Sequence, residues 1–187
     1  MKFSLVKQKL QEAGVLFDDG LTEGEIHSAE KSFGFQFPPD LKSFLMLALP
    51  VGDGWPNWRD VDDPEIKRML NWPYEGICFD IQNNAFWPAD WGPKPASLKE
   101  ALEIAKRKID EVPKLIPVFI HRYLPDRPSI EGNPVFSVYQ TDIIYYGSSL
   151  QIYLQNEFLD DLGVPEYQIS DPPRRIEFWS DFVDGDY

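Results

Sequence analysis

Four side chains with chemical capacity fall within one short span, "HRYLPDRPSIEGNPVFSVYQTD": His121, Arg122, Ser137 and Asp142. An imidazole, a hydroxyl and a carboxylate are the parts of a nucleophilic triad, and a guanidinium beside them suits an anion. The spacing matches no catalytic rule, however. The chain has no G-x-S-x-G elbow to expose a serine and no G-x-x-x-x-G-K loop to cradle phosphate. His121 and Arg122 follow a strand-like run and precede a proline-rich loop, which is the position of a sheet rim. There Arg122 either pairs with a carboxylate or reads an acidic group on a partner. Asp142, between Thr141 and Ile143, is expected to cap the turn entering the last strand. The span reads as a strand scaffold with a candidate binding rim.

Other chemistry finds less material. Cys78 is the single cysteine and sits in "GICFDI", with no cation beside it in sequence to lower its pKa, so it reads as core filler. His27, His121 and Cys78 are the soft metal ligands, and no H-E-x-x-H, paired C-x-x-C or D-x-D-x-D-G spacing joins them. No metal and no cofactor are expected. Carboxylates for glycoside cleavage abound, and Trp55, Trp58, Trp72, Trp87 and Trp91 offer rings for sugar stacking. The competing reading is that these rings pin long loops to the core and satisfy their indole N–H groups there. Pinning is favoured for Trp72 and Trp87, whereas Trp55 and Trp58, in a glycine-rich loop, are balanced between the two. No catalytic residue is assigned, and the chain is not expected to be an enzyme.

Charge narrows the partner. Thirty-one acids against eighteen bases give a net charge of −13, which repels nucleic acid and anionic bilayers and suits a basic protein. One cysteine excludes a disulfide framework. The N-terminal "MKFSLVKQKLQEAGVLF" lacks an apolar signal run, and no stretch approaches the roughly 18 apolar residues of a membrane span. A cytoplasmic, acidic protein is the expectation.

The elements that must position these residues begin with helices. Phe3, Val6, Leu10 and Ala13 keep helical spacing up to Gly14. Thr22 and Glu25 form a T-x-x-E box, with Leu21 able to staple against Ile26, before a helix that Gly34 ends. "FPPDLKSFLMLALP" is a third helix, with Leu41, Phe44, Leu45 and Ala48 inward. Asp63 and Pro64 open a short helix, and "GICFDI" alternates as a strand. Ser97 and Glu100 open a helix with Leu98, Ala101, Leu102, Ala105 and Ile109 inward. "LIPVFI", "PVFSVYQ" and "DIIYYG" are strands, the last two antiparallel neighbours. "SLQIYLQNEFL" reads as a helix, and "RRIEFWSDFV" as a short strand or helical turn packing Ile176, Phe178, Trp179 and Phe182. Helices first and hairpin strands later predict an α+β fold.

Two segments resemble the SUKH superfamily of Smi/Knr-type domains. "LTEGEIHSAEKSFGFQFPPDLKSFL" is similar to the family's entry helix, its G-x-x-x-P-x-D turn (Gly34, Pro38 and Asp40) and the next helix. "GNPVFSVYQTDIIYYGSSLQIYL" is similar to its strand pair and closing helix. The resemblance implies one α+β domain over residues 1–187, with a central, mostly antiparallel sheet flanked by helices. It leaves a Trp/Pro-rich insertion at about 51–96 and a C-terminal extension at about 160–187. It implies a non-catalytic protein-binding module of the bacterial immunity type, which binds and blocks a toxin domain, with Asp40 and Asp142 as framework positions only. The candidate anchors for that partner are Trp55, Trp58, Arg59, Trp87, Trp91, His121 and Arg122. The alternative function is a small-molecule or carbohydrate-binding scaffold that uses the tryptophan loops.

Overall fold

Apolar spacing and capping residues fix the first three helices. A computed structural model describes residues 3–159 and 172–185, and in it α1 (Phe3–Glu12) buries Val6 and Leu10. Helix α2 (Glu23–Phe33) begins at Thr22, whose hydroxyl accepts from the Glu25 amide while the Glu25 carboxylate accepts from the Thr22 amide at 2.7 Å. Such a reciprocal cap contributes about 1 kcal/mol. The helix closes on Gly34 at φ 67°, a conformation that favours glycine. Helix α3 (Pro39–Leu47) carries proline where no amide donor is lost and buries Leu41, Phe44 and Leu45. Asp40, also buried, accepts from the Leu41 and Gly132 amides. A small sheet that the periodicity did not announce joins the helices: β1 (Leu16–Asp19) runs antiparallel to β2 (Ala48–Val51), with Leu16 opposite Val51.

The segment "GICFDI" is helix, which corrects the strand expected there. It lies inside α4 (Pro64–Asn83), a 20-residue helix capped by Asp63 that buries Ile66, Met69, Pro73, Ile77 and Ile81. Ile77 and Ile81 are one helical turn apart on the buried face, whereas Phe79 points outward and is 48 % exposed. Pro73 removes one helical hydrogen bond, and the Met69 carbonyl it releases accepts from the Tyr123 hydroxyl at 2.8 Å. A single 3-10 turn at Ala89–Trp91 leads to α5 (Leu98–Glu111), where Ser97 accepts from the Glu100 amide. Ala101 and Ala105 are buried and Leu102 and Ile109 pack beside them, while Leu98 is exposed, outside the inward stripe predicted for it.

Four antiparallel strands, β3 (Leu115–Phe119), β4 (Arg122–Pro125), β5 (Val135–Tyr139) and β6 (Asp142–Gly147), lie side by side in chain order. The neighbouring pair expected from sequence is β5–β6; β4, hidden by its proline, lies between β3 and β5. Strand alternation splits the interior in two. Ile116, Val118, Leu124 and Val135 face α1, α2, α3 and α6 (Leu150–Leu159). Leu115, Tyr123, Phe136, Val138 and Ile143 face α4, α5 and α7 (Trp179–Asp184). The fold is therefore α+β, with an antiparallel sheet between helices. Segment 51–96 supplies α4, whose Ile66 joins the first core and whose Ile77 and Ile81 join the second. Of the expected extension, residues 160–171 and 186–187 lie outside the described residues. Within 172–185, Ile176, Trp179 and Phe182 are buried. Among the described residues, no helix is long and apolar enough to cross a membrane.

Candidate functional site

The sheet places His121 and Arg122 at one end but gives them different neighbours. Ile120 and His121 make the two-residue turn between β3 and β4, and Gln140 and Thr141 make the matching turn between β5 and β6. Arg122 pairs with Ser137 in register, and its Nη1 donates to the Ser137 hydroxyl at 3.0 Å. Its Nε meets Glu157 of α6 at 3.2 Å, and its guanidinium lies 3.8 Å from the Tyr146 ring centroid. With the Arg122 and Glu157 side chains only 11 % and 19 % exposed, Arg122 is committed inside the molecule and is not an open anchor. His121 instead borders Arg68, Met69, Trp72 and Tyr139. Asp142 is exposed at the start of β6, and the turn before it is held from α4: the Asp80 carboxylate accepts from the Thr141 amide at 2.8 Å and its hydroxyl at 2.7 Å. The opening quartet thus forms no triad.

Packing also decides the tryptophans. Trp58, only 1 % exposed, sits edge-on to Phe33, Phe35 and Phe37, and its indole N–H has no acceptor among the described residues. Trp91, 8 % exposed, packs against Phe86, Trp87 and Phe178. Both rings are withdrawn from any surface, which corrects their place among the anchors. Trp55 is half-buried between Phe119 and Phe158, at 4.8 and 5.3 Å between centroids. Trp87 is half-buried and donates to the Gly92 carbonyl at 2.7 Å. Arg59 is exposed yet engaged, its Nε with Glu25 at 2.7 Å and its Nη2 with the Asp19 carbonyl at 2.8 Å. The Thr22 amide and hydroxyl, then Arg59, hold the Glu25 carboxyl down at about 2. Cys78 is half-buried on α4; burial pushes its thiol up, and Tyr74 is its hydrogen-bond partner. Among the described residues, no three His, Cys, Asp or Glu side chains are placed to hold a metal ion.

What does gather around His121 is an apolar patch at the two turns. Tyr139 is 57 % exposed and Ile120 50 % exposed, and with Phe79 they flank the half-buried Trp72. Two adjoining hollows of about 170 and 190 Å³ share Trp72 and Tyr139: Phe79 and Gln140 border the first, Ile120 and His121 the second. The Trp72 indole donates to the Val138 carbonyl at 3.0 Å, and the Arg68 guanidinium stands 5.8 Å from its ring centroid. Ile120 adopts φ 47° and Gln140 φ 57°. For a β-branched residue this left-handed backbone costs roughly 1–2 kcal/mol, so the surroundings must enforce it. They do so through Gly54, whose carbonyl accepts the Ile120 amide at 2.8 Å. Burial, and then the charge of Arg122, lower the His121 pKa, so the imidazole facing this patch is neutral at pH 7. Sequence reasoning found His121 but missed Phe79, Ile120, Tyr139 and Gln140. The signal for Ile120, Tyr139 and Gln140 was the matched pair of two-residue gaps, at 120–121 and 140–141, whereas Phe79 lies on α4 and had no such signal.

No family model, curated protein or solved structure matches this chain.

Proposed function

We propose that this chain is a non-catalytic protein-binding module that docks through the hairpin-tip patch of Phe79, Trp72, Tyr139, Ile120 and His121. The observation that carries this reading is Ile120, a β-branched side chain held at φ 47° with half its surface in water. A glycine or asparagine would make the same turn without strain and without exposing apolar surface. Tyrosine, tryptophan and arginine are the residue types that most often carry binding energy at interfaces, and Tyr139, Trp72 and Arg68 stand together here. The partner class follows from charge: a surface at −13 accelerates encounter with a basic protein and opposes nucleic acid. The resemblance of two segments to SUKH domains supports an immunity-type role in the cytoplasm, in which the patch covers the active cleft of a basic toxin domain. The sugar-binding alternative loses support, because two of the rings it relied on, Trp58 and Trp91, are buried.

The test is co-expression with any basic toxin domain encoded beside this gene. Wild type should restore growth, and Ile120→Asp and Tyr139→Ala should each abolish the rescue while the purified variants keep the parental melting temperature. Rescue that survives both substitutions, or no rescue by wild type against any neighbouring toxin, would defeat the reading.

A further inference from the structure

Away from the hairpin tips, a cleft of about 430 Å³ opens between the end of α2, the middle of α4, α5 and the start of β3. Its floor is apolar, built from Phe33, Phe35, Leu70 and Leu115. Its walls carry three ammonium groups, on Lys67, Lys106 and Lys114, against one carboxylate, Asp110. That excess of positive charge stands in a chain whose net charge is −13, so the cleft is opposite in sign to the chain as a whole.

The three lysines retain capacity for a ligand. Lys114 donates to the Gly34 carbonyl at 2.6 Å and the Phe33 carbonyl at 3.3 Å, which closes the end of α2, and the Asp126 carboxylate lies within its field on the side of β4. Lys106 pairs with Asp110 on its own helix, and its ammonium lies 5.7 Å from the Tyr74 ring centroid. Lys67 is exposed and has no hydrogen-bond or ion-pair partner among the described residues. Burial, reinforced by the Cys78 contact, pushes the Tyr74 phenol up to about 12, so it brings no competing negative charge. The volume lies within the roughly 300–1,000 Å³ of small-molecule sites.

The lining also distinguishes among anions. Among the described residues no arginine borders this cleft, so neither a carboxylate nor a phosphate would meet a planar fork here, and the choice between them rests on the number of charges the ligand carries. Several lysine point charges around one opening suit phosphate, whose charge is multiple and spread over three oxygens. We infer that this cleft binds a small phosphate-bearing molecule with a flat apolar body, the class typified by a nucleoside monophosphate. Its ring would rest on the Phe33–Leu70 floor and its phosphate between Lys67, Lys106 and Lys114.

Isothermal titration of the full chain with AMP, adenosine and inorganic phosphate tests this. AMP should bind with a Kd below about 1 mM, and adenosine and phosphate should each bind at least about tenfold more weakly. Lys67→Glu should weaken AMP about tenfold without moving the melting temperature, and AMP affinity should fall as salt rises from about 0.05 to about 0.5 M. Equal affinity for AMP and adenosine would leave a greasy hollow without anion recognition and overturn the inference. So would an unchanged AMP affinity in both Lys67→Glu and Lys106→Ala, or no AMP binding at about 10 mM.

Discussion

The hydroxyl of Tyr123 on β4 donates to the Met69 carbonyl of α4 at 2.8 Å, the carbonyl that Pro73 leaves without a helical partner. A proline inside a 20-residue helix is thus compensated from the sheet. The tyrosine is fully buried and its phenol is pushed up by that burial, so it stays neutral and able to donate. Tyr123→Phe should destabilise the fold by about 1–3 kcal/mol, the usual cost of stranding a buried polar group. Pro73→Ala in that background restores an amide opposite Met69 and should recover most of the loss. A urea-denaturation double-mutant cycle reads the coupling, and additive effects would show that the two residues do not act on one carbonyl.

Asp80 makes the second tie between α4 and the sheet. It is 2 % exposed and accepts from both the amide and the hydroxyl of Thr141. Asp80→Ala should cost about 2–3 kcal/mol, because it removes the acceptor shared by a part-buried amide and hydroxyl. Asp80→Asn, which keeps one acceptor oxygen, should cost less. Chemical denaturation of the two variants ranks them, and the reverse order would refute this account of the turn.

Gly76 predicts an inverted sign. Glycine to alanine within a helix ordinarily stabilises by about 1 kcal/mol. At Gly76 an added Cβ would stand 2.7 Å from the Gln140 Cα and 3.1 Å from its amide nitrogen, against backbone that cannot swing away. Gly76→Ala should therefore destabilise by about 1–3 kcal/mol. Thermal melting decides, and a raised melting temperature would mean that the helix and the turn are less closely seated.

His121 should titrate below its ordinary value of 6.5, first because it is partly buried and then because Arg122 is beside it. The native protein then binds that proton less tightly than the unfolded chain does. The associated stability is present above about 6.5 and is lost as pH falls through the lowered value. Proton NMR of the imidazole gives the midpoint directly, and His121→Gln should flatten this part of the stability profile. A midpoint at or above 6.5 would contradict the burial of the ring.

Local signals in the sequence went a long way. The Thr22–Glu25 box, the Asp63 and Ser97 caps and the β5–β6 pair all depend on residues near one another in the chain. What escaped depends on distant partners. Pro73 and Gly76 look like helix breakers until Tyr123 and Gln140 are seen to accommodate them. Strands β2 and β4 contain prolines, Pro50 and Pro125, that conceal their pairing. At the candidate site His121 was legible as rim, but Ile120 was not, because nothing in its type announces a left-handed turn. Trp58 and Trp91 misled for the opposite reason: a loop rich in glycine or proline looks exposed, yet both rings are buried.

Each hairpin tip is fastened by chain from outside the sheet, Ile120 by the Gly54 carbonyl and Thr141 by Asp80. Whatever settles on Tyr139 and Ile120 meets a contour already set before contact, so little conformational freedom is forfeited on association. Cutting either tether should therefore shorten the lifetime of a complex without altering a single residue that touches it.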